Sequence, residues 1–206
     1  MNNKVKIRKQ QTVYDGYVKV DEYYFRHRLF AGGDSHEIRR ELVERGQAVA
    51  VLAIDPVREK LIMIEQFRIG ALAAGLDPWS LEIVAGIIET GETATAVAKR
   101  EMLEETGCNI EQLHLVTDYL STPGVSSERV HLYCGLTDSR MANGFHGVAS
   151  EGEDIRVFTL DFDAIPETLN NPNARNSLTL IALQWLSLNR DKLSGIFTFP
   201  QSNLPT

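Results

Sequence analysis

Residues Gly86 to Cys108 constrain this chain more than any other stretch. They read Gly-Ile-Ile-Glu-Thr-Gly-Glu-Thr-Ala-Thr-Ala-Val-Ala-Lys-Arg-Glu-Met-Leu-Glu-Glu-Thr-Gly-Cys. The part from Thr93 to Thr106 reads as a helix. Thr93 suits an N-cap, the interior is rich in Ala, and Gly107 stands where a glycine ends helices. At about 100° per residue, Glu101 and Glu105 share a face and Glu104 lies roughly 60° to one side. The short residues Ala94, Val97 and Ala98 fall on that face too, while Met102 and Leu103 point elsewhere. The carboxylates are therefore expected over low relief, where a ligand or another stretch of backbone can come close.

A solvated acidic face is the ordinary reading of such a run, but such faces pair Glu with Lys or Arg one turn on. Glu101 instead has Glu105 at that spacing, and Glu105 has Asn109. Like charges so placed cost about 0.2–0.5 kcal/mol in an isolated helix. Only Arg100 is positioned to offset Glu104. Such an excess of negative charge is stabilised by divalent cations, and oxygen ligands suit Mg²⁺ or Mn²⁺. No His or Cys pair has the spacing of a zinc site. Mg²⁺ is typically held by one or two carboxylates together with substrate phosphates, and two ions can clamp the attacking and leaving oxygens. The stretch thus points to diphosphate or phosphate-ester chemistry.

Gly86, Glu92, Arg100, Glu101, Glu104, Glu105 and Gly107 fill the fixed positions of the Nudix box, with Met102 and Cys108 at its apolar positions. Cys108 is a mild departure, since an aliphatic residue is usual there. Chance would produce these fixed matches in fewer than roughly one in a million chains of this length. The chain therefore resembles the Nudix family. The resemblance implies metal-dependent hydrolysis of a nucleoside diphosphate linked to another moiety.

Length and composition agree with that class. The chain has 206 residues, enough for one good core and a small extra element. With 43% hydrophobic and 24% charged residues it is an ordinary globular composition. A formal net charge of −7 argues against a nucleic-acid-binding surface, so an anionic substrate must be met by local positive charge or metal. The only cysteines are Cys108 and Cys134, and no apolar run approaches a membrane span. A cytoplasmic protein with free thiols, no membrane partner and no nucleic-acid partner is the expectation.

Along the chain, residues 4–45 look like a run of strands: Tyr14–Val20 and Glu22–Phe30 with Asp21 at a turn, then His36–Val43. Gly46 opens a buried strand, Ala48–Ile54, which Asp55-Pro56 turns into Leu61–Gln66. Trp79–Val84 leads into the box. Strands at Leu113–Leu120, Arg129–Thr137 and Ile155–Leu160 follow, and Ser177–Leu188 is an amphipathic helix. Strands interleaved with two long helices predict an α/β fold with a mixed sheet between helical layers. The resemblance supplies its form, the Nudix helix–sheet–helix sandwich over residues 46–206. Residues 1–45 exceed that core and form an N-terminal β-strand module, too small to stand alone.

Segments outside the box narrow the resemblance. Pro123, in Ser121-Thr122-Pro123-Gly124, keeps a distance from the box seen in the ADP-ribose pyrophosphatase branch. A plain Pro-Gly turn is the alternative reading. Phe25–Phe30, Ser35–Arg40, Glu65–Ile69, Gly144–Gly147 and Ala182–Leu186 also resemble bacterial members of that branch. The likeness implies cleavage of ADP-ribose to AMP and ribose 5-phosphate with Mg²⁺, or Mn²⁺ in its place, and two or more ions per site. It assigns the backbone oxygen of Ala85 with Glu101, Glu105 and Glu153 to metal. It assigns Tyr17, Arg40, Arg68, Gly86, Thr122 and Glu128 to substrate; a surface salt bridge is the alternative for each of the two arginines, and core packing for Tyr17. A planar guanidinium suits a diphosphate or an adenine face.

The general base has several candidates. Glu104 and Glu105 lie in the box beside Arg100, and Glu151 and Glu153 lie in the long segment Asp138–Asp154. Long loops are often functional, and Gly144, Gly147 and Gly152 would let this one move as a lid. The resemblance gives Glu151 the base role, with Glu104 and Arg100 as catalytic partners. It also implies a homodimer whose N-terminal module serves the partner's adenosine site. Two other readings stay open: a hydrolase of another nucleoside diphosphate sugar, such as GDP-mannose, and a non-catalytic module that senses ADP-ribose. Such modules usually lose box glutamates, and this chain keeps them.

Overall fold

The computed structural model describes residues 4–198. The chain forms two compact units. The first comprises Met1–Gln47 and Tyr119–Arg129; the second comprises Ala48–Asp118 and Val130–Thr206.

The first unit is an antiparallel three-stranded sheet, β1 (Val5–Asp15), β2 (Lys19–His27) and β3 (Ile38–Glu44), in that order. The first turn falls at Gly16–Val18, where the Gly16 N–H donates to the Val18 carbonyl at 3.1 Å. It does not fall at Asp21, which lies within β2 and is buried. Asp21 reads as a turn residue by type, but Gln10 and Thr12 of the facing strand donate to its carboxylate at 2.9 and 2.8 Å. On the adjacent position, Glu22 takes a bond from Gln11 at 2.8 Å and pairs with Arg39. These side-chain pairs fix the register of a sheet whose apolar residues alone specify it weakly. Residues 119–129 belong to this unit because Val43 donates to Val125 at 2.8 Å and Ser127 donates back to Val43 at 3.1 Å.

In the second unit the strands are β4 (Gln47–Asp55), β5 (Lys60–Phe67), β6 (Trp79–Glu82), β7 (Val84–Ile88), β8 (Gln112–Leu120), β9 (Arg129–Leu136), β10 (Gly144–His146) and β11 (Ile155–Asp161). They form one sheet in the order β10-β11-β5-β4-β9-β8, with β6 on β5 and β7 on β4. The pairs β10–β11, β11–β5, β4–β5 and β5–β6 are antiparallel. Arg129 N–H bonds to Gly46 and Thr137 N–H to Ile54, so β9 runs with β4 and the sheet is mixed. Every residue from Val49 to Asp55 is buried, as expected where both faces of a strand are covered.

One face carries Val49, Val51, Ala53, Ile62 and Ile64, packed with Val97, Ala98 and Met102 of the box helix. Met102 thus shares the buried face with Val97 and Ala98, while Leu103 is exposed. The stretch Trp79–Val84, expected as one strand, breaks at Ile83, so β6 and β7 pair with different strands. The helices are α1 (Ile69–Ala73), α2 (Ala94–Thr106), α3 (Ile165–Asn170), α4 (Ser177–Asn189) and α5 (Leu193–Ile196). α4 buries Ala182, Leu183 and Leu186 and is tied to β6 by Asn176 and Thr179, which donate to the Leu81 carbonyl at 2.9 and 3.2 Å. The unit is a helix–sheet–helix arrangement. No helix among the described residues is long and apolar enough to cross a membrane. Cys108 and Cys134 are buried free thiols.

Candidate active site

α2 begins and ends on side-chain and backbone chemistry visible in the sequence. The Thr93 hydroxyl accepts the Ala96 N–H at 3.2 Å. Gly107 closes the helix at φ 68°, in the left-handed region, and donates to Leu103 at 2.9 Å. β7 lies against this helix. Gly86 sits directly under Glu101: a Cβ built there would lie 2.0 Å from Glu101 Oε1 and 2.1 Å from its Cδ. Glycine at this box position is a matter of space.

Arg100 gathers three carboxylates. It donates through Nε and Nη2 to Glu92 at 3.3 Å each, and through Nη1 to Glu101 at 2.8 Å and Glu104 at 3.1 Å. It therefore offsets more than Glu104 alone. Glu92 also accepts the Glu89 N–H at 3.0 Å, which pins the loop before the helix. Burial pushes Glu101 up to about 7; Arg100 opposes the shift, while Glu104 and Glu153 add to it.

Glu105 is 3% exposed and its Oε2 has no hydrogen-bond partner among the described residues. Burial raises it well above the usual carboxylate range, and Glu101 and Glu153 push it further. The Ala85 N–H and Arg68 act the other way. Glu153 accepts the Val148 N–H at 2.9 Å. Its close approach depends on Gly147, at φ 101°, where a Cβ would lie 2.8 Å from the Glu153 Cβ. Arg68, at the end of β5, makes a two-pronged pair with buried Glu82.

The second unit thus brings together Arg68, Ala85, Gly86, Arg100, Glu101, Glu104, Glu105 and Glu153. Glu151 ends a short 3-10 turn, Ala149–Glu151, and its side chain lies outside the described residues. The segment Asp138–Asp154 is the one expected as a glycine-hinged lid. It holds β10, which pairs with β11, and 3-10 turns at Ser139–Met141 and Ala149–Glu151. Buried Asp55 anchors its start, accepting from the Ser139 N–H at 3.0 Å and hydroxyl at 2.8 Å.

In the first unit, Tyr17 is 90% exposed and the Arg45 guanidinium lies over its ring at 5.6 Å. Arg45 also faces Glu128 at 3.8 Å. Arg40, opposite Tyr23 on β2, is exposed, and its guanidinium donates to the Arg39 carbonyl at 2.7 Å. The Thr122 carbonyl accepts from Val125 and Ser126, closing the turn that contains Pro123. Arg45 and Glu82 were not singled out from the sequence. Neither belongs to a spaced motif, and only their placement against Tyr17, Glu128 and Arg68 marks them.

Among the described residues no three His, Cys, Asp or Glu side chains converge closely enough to enclose a metal ion. Glu101 is turned to Arg100 and Glu153 to Val148. The donors are nonetheless all oxygen, and the unpartnered buried Oε2 of Glu105 is an atom that a hard cation would satisfy. The residues fit a divalent ion such as Mg²⁺. A separate cleft of about 700 Å³, lined by Met63, Leu81, Arg156 and Phe158 among others, contains none of the predicted site residues.

Comparison with known proteins identifies the family. The family model described as NUDIX domain matches residues 44–188. An ADP-ribose pyrophosphatase of Escherichia coli (strain K12) is 44% identical over 193 residues, covering 94% of this chain and 92% of the relative. One from Haemophilus influenzae is 39% identical over 192 residues, covering 92% and 88%. A solved structure described as an ADP compounds hydrolase superposes with a TM-score of 0.71 at 20% identity, covering 94% of this chain and 96% of that one. That likeness speaks to the fold. The box residues on α2 and β7, the mixed sheet behind them and the family match together place this chain in the Nudix family.

Proposed function

We propose that this protein hydrolyses the diphosphate bond of ADP-ribose to AMP and ribose 5-phosphate. The observation that carries the reading is Glu105: a buried carboxylate with an unpartnered oxygen, beside Glu101 and Glu153, on the box helix. The substrate comes from the names of the relatives at 44% and 39% identity. Water adds across the P–O–P link, one phosphorus takes its oxygen, and the other leaves as a phosphate monoester.

In this reading the metal is Mg²⁺, with Mn²⁺ able to substitute and two or more ions per site. The Ala85 carbonyl, Glu101, Glu105 and Glu153 would hold it. When bound, such ions stabilise charge on the diphosphate and lower the pKa of the attacking water. Glu151 takes the proton of that water, a role that suits a carboxylate beside it. Arg100 holds Glu101 and Glu104 in place. Arg68 contacts the diphosphate, and Gly86 leaves room for Glu101. Tyr17, Arg40, Thr122 and Glu128 serve the adenosine end. A cytoplasmic homodimer belongs to the same proposal, and sedimentation at micromolar concentration tests it: a fully active monomer rules it out. The activity itself is tested by a panel of nucleoside diphosphate sugars with Mg²⁺, products resolved by chromatography. ADP-ribose is expected to give AMP and ribose 5-phosphate in equal amounts and to be turned over faster than GDP-mannose. Preference for GDP-mannose overturns the substrate, and no turnover of any member supports a sensing module instead.

A further inference from the structure

Arg68 is held along one edge only. Its Nε donates to Glu82 Oε1 at 3.0 Å and Oε2 at 3.2 Å, and its Nη2 donates to Oε2 at 2.7 Å. Its Nη1 has no hydrogen-bond partner among the described residues. The two residues differ in setting: the Glu82 side chain is 5% exposed and that of Arg68 is 44% exposed. A buried carboxylate is costly unless paired, and Arg68 is the partner that Glu82 has.

Glu82 has competitors. Arg68 lies within electrostatic reach of Glu105 and Glu153. Glu105 has an oxygen with no partner, to which a loose guanidinium would form a short charge-assisted bond. That bond would turn the free edge of Arg68 away from an incoming phosphate. It would also occupy a carboxylate that a cation needs. A two-pronged pair with Glu82 opposes this collapse, because the planar fork fits one carboxylate edge-on and fixes the direction of the other edge.

We propose that Glu82 is a positioning residue, clamping the Nε–Nη2 edge of Arg68 so that Nη1 is presented to the diphosphate and Glu105 is left free for the divalent cation. The proposal rests on Arg68 contacting the diphosphate in the function proposed above. Glu82 acts through Arg68 and touches neither substrate nor metal. It lies upstream of the box, so no box residue already performs this role.

The test is a double-mutant cycle in the full chain: wild type, Glu82→Gln, Arg68→Ala and the pair. Three quantities are read: KM and kcat with ADP-ribose, Mn²⁺ binding to substrate-free protein by electron paramagnetic resonance, and Tm. Glu82→Gln keeps the shape but loses the charge of the clamp. It is expected to raise KM about 5- to 20-fold, part of the cost of a charged hydrogen bond, with kcat within about threefold. Mn²⁺ binding should weaken about three- to tenfold as Arg68 turns to Glu105. In the Arg68→Ala background, Glu82→Gln should change neither quantity by more than about twofold, since coupled residues are not additive. Glu82→Asp keeps the charge, draws the guanidinium back, and runs the same cycle if Gln disrupts folding. A lowered Tm with unchanged KM and Mn²⁺ binding overturns the proposal, because Glu82 is then only structural. Additive effects of the two substitutions overturn it as well. If Arg68→Ala raises KM and Glu82→Gln does not, the clamp alone fails. If Arg68→Ala leaves KM unchanged, the substrate role of Arg68 fails and the clamp with it.

Discussion

The contact between Gly86 and Glu101 gives a substitution whose effect can be worked from distances. An alanine Cβ at position 86 would lie 2.0 Å from Glu101 Oε1, 2.1 Å from Cδ and 2.4 Å from Cγ. Ordinary contact begins near 3.4 Å, so the carboxylate must retreat by about 1.4 Å. The obstacle is the end of a flexible side chain, so the fold yields at little cost and Tm should fall by no more than about 2–4 °C. Function should not tolerate the shift. A misplacement of about 1 Å in a catalytic constellation costs on the order of 10²-fold. The retreat also breaks the 2.8 Å bond from Arg100 that orients Glu101. Gly86→Ala is therefore expected to lower kcat/KM for ADP-ribose about 10²-fold and to weaken Mn²⁺ binding, while circular dichroism and Tm stay near wild type. An alanine variant within twofold of wild-type kcat/KM would refute the reasoning, since Glu101 could then occupy another position without loss.

Three further outcomes follow from the same geometry. Glu101, pushed up to about 7, and Glu105, raised further by burial, bind protons more tightly in the folded state than in the unfolded chain. The metal-free protein should therefore lose stability as pH rises from about 4.5 to about 7, by at most about 3 kcal/mol from Glu101, and Mg²⁺ should raise Tm more at pH 8 than at pH 5.5; equal Mg²⁺-induced shifts at the two pH values contradict this. Glu151→Gln should lower kcat about 10²–10⁴-fold with KM little changed, and a larger kcat effect from Glu153→Gln in parallel assays reverses the two roles. Thr93→Ala removes the cap of α2 and should cost about 1 kcal/mol in denaturant unfolding with kcat unchanged; no loss of stability means the 3.2 Å bond to Ala96 contributes nothing.

The sequence exposes α2 well because its signals are local: a capping Thr93, a helical run and a terminal Gly107 all speak for the same element. The carboxylate cluster on α2 was legible for a related reason, since Glu101 and Glu105 repeat a charge where a counter-charge belongs. What the sequence hid depends on partners distant in the chain. Asp21 looks like a turn residue until Gln10 and Thr12 are seen to donate to it across the sheet. The break at Ile83 follows from β6 pairing with β5 and β7 with β4, and an apolar run carries no mark of such a change of neighbour. Arg100 reads as a partner for Glu104 at helical spacing, yet its other edge reaches Glu92 in the preceding loop. Glu82 has no motif; its meaning appears only when Arg68 is found against it. Residues 119–129 join the first unit through β3, a pairing that composition cannot announce.

The most direct test of the central claim is turnover of ADP-ribose by Glu105→Gln across a Mg²⁺ titration, beside the wild-type protein. Gln keeps the volume of the buried side chain but cannot offer a charged oxygen where Oε2 now lacks a partner. The account predicts that wild-type protein releases AMP and ribose 5-phosphate only with divalent metal. It predicts that Glu105→Gln stays at least about 10²-fold slower at every Mg²⁺ concentration. Near-wild-type turnover of Glu105→Gln at saturating Mg²⁺ would contradict the claim that this buried carboxylate builds the catalytic metal site.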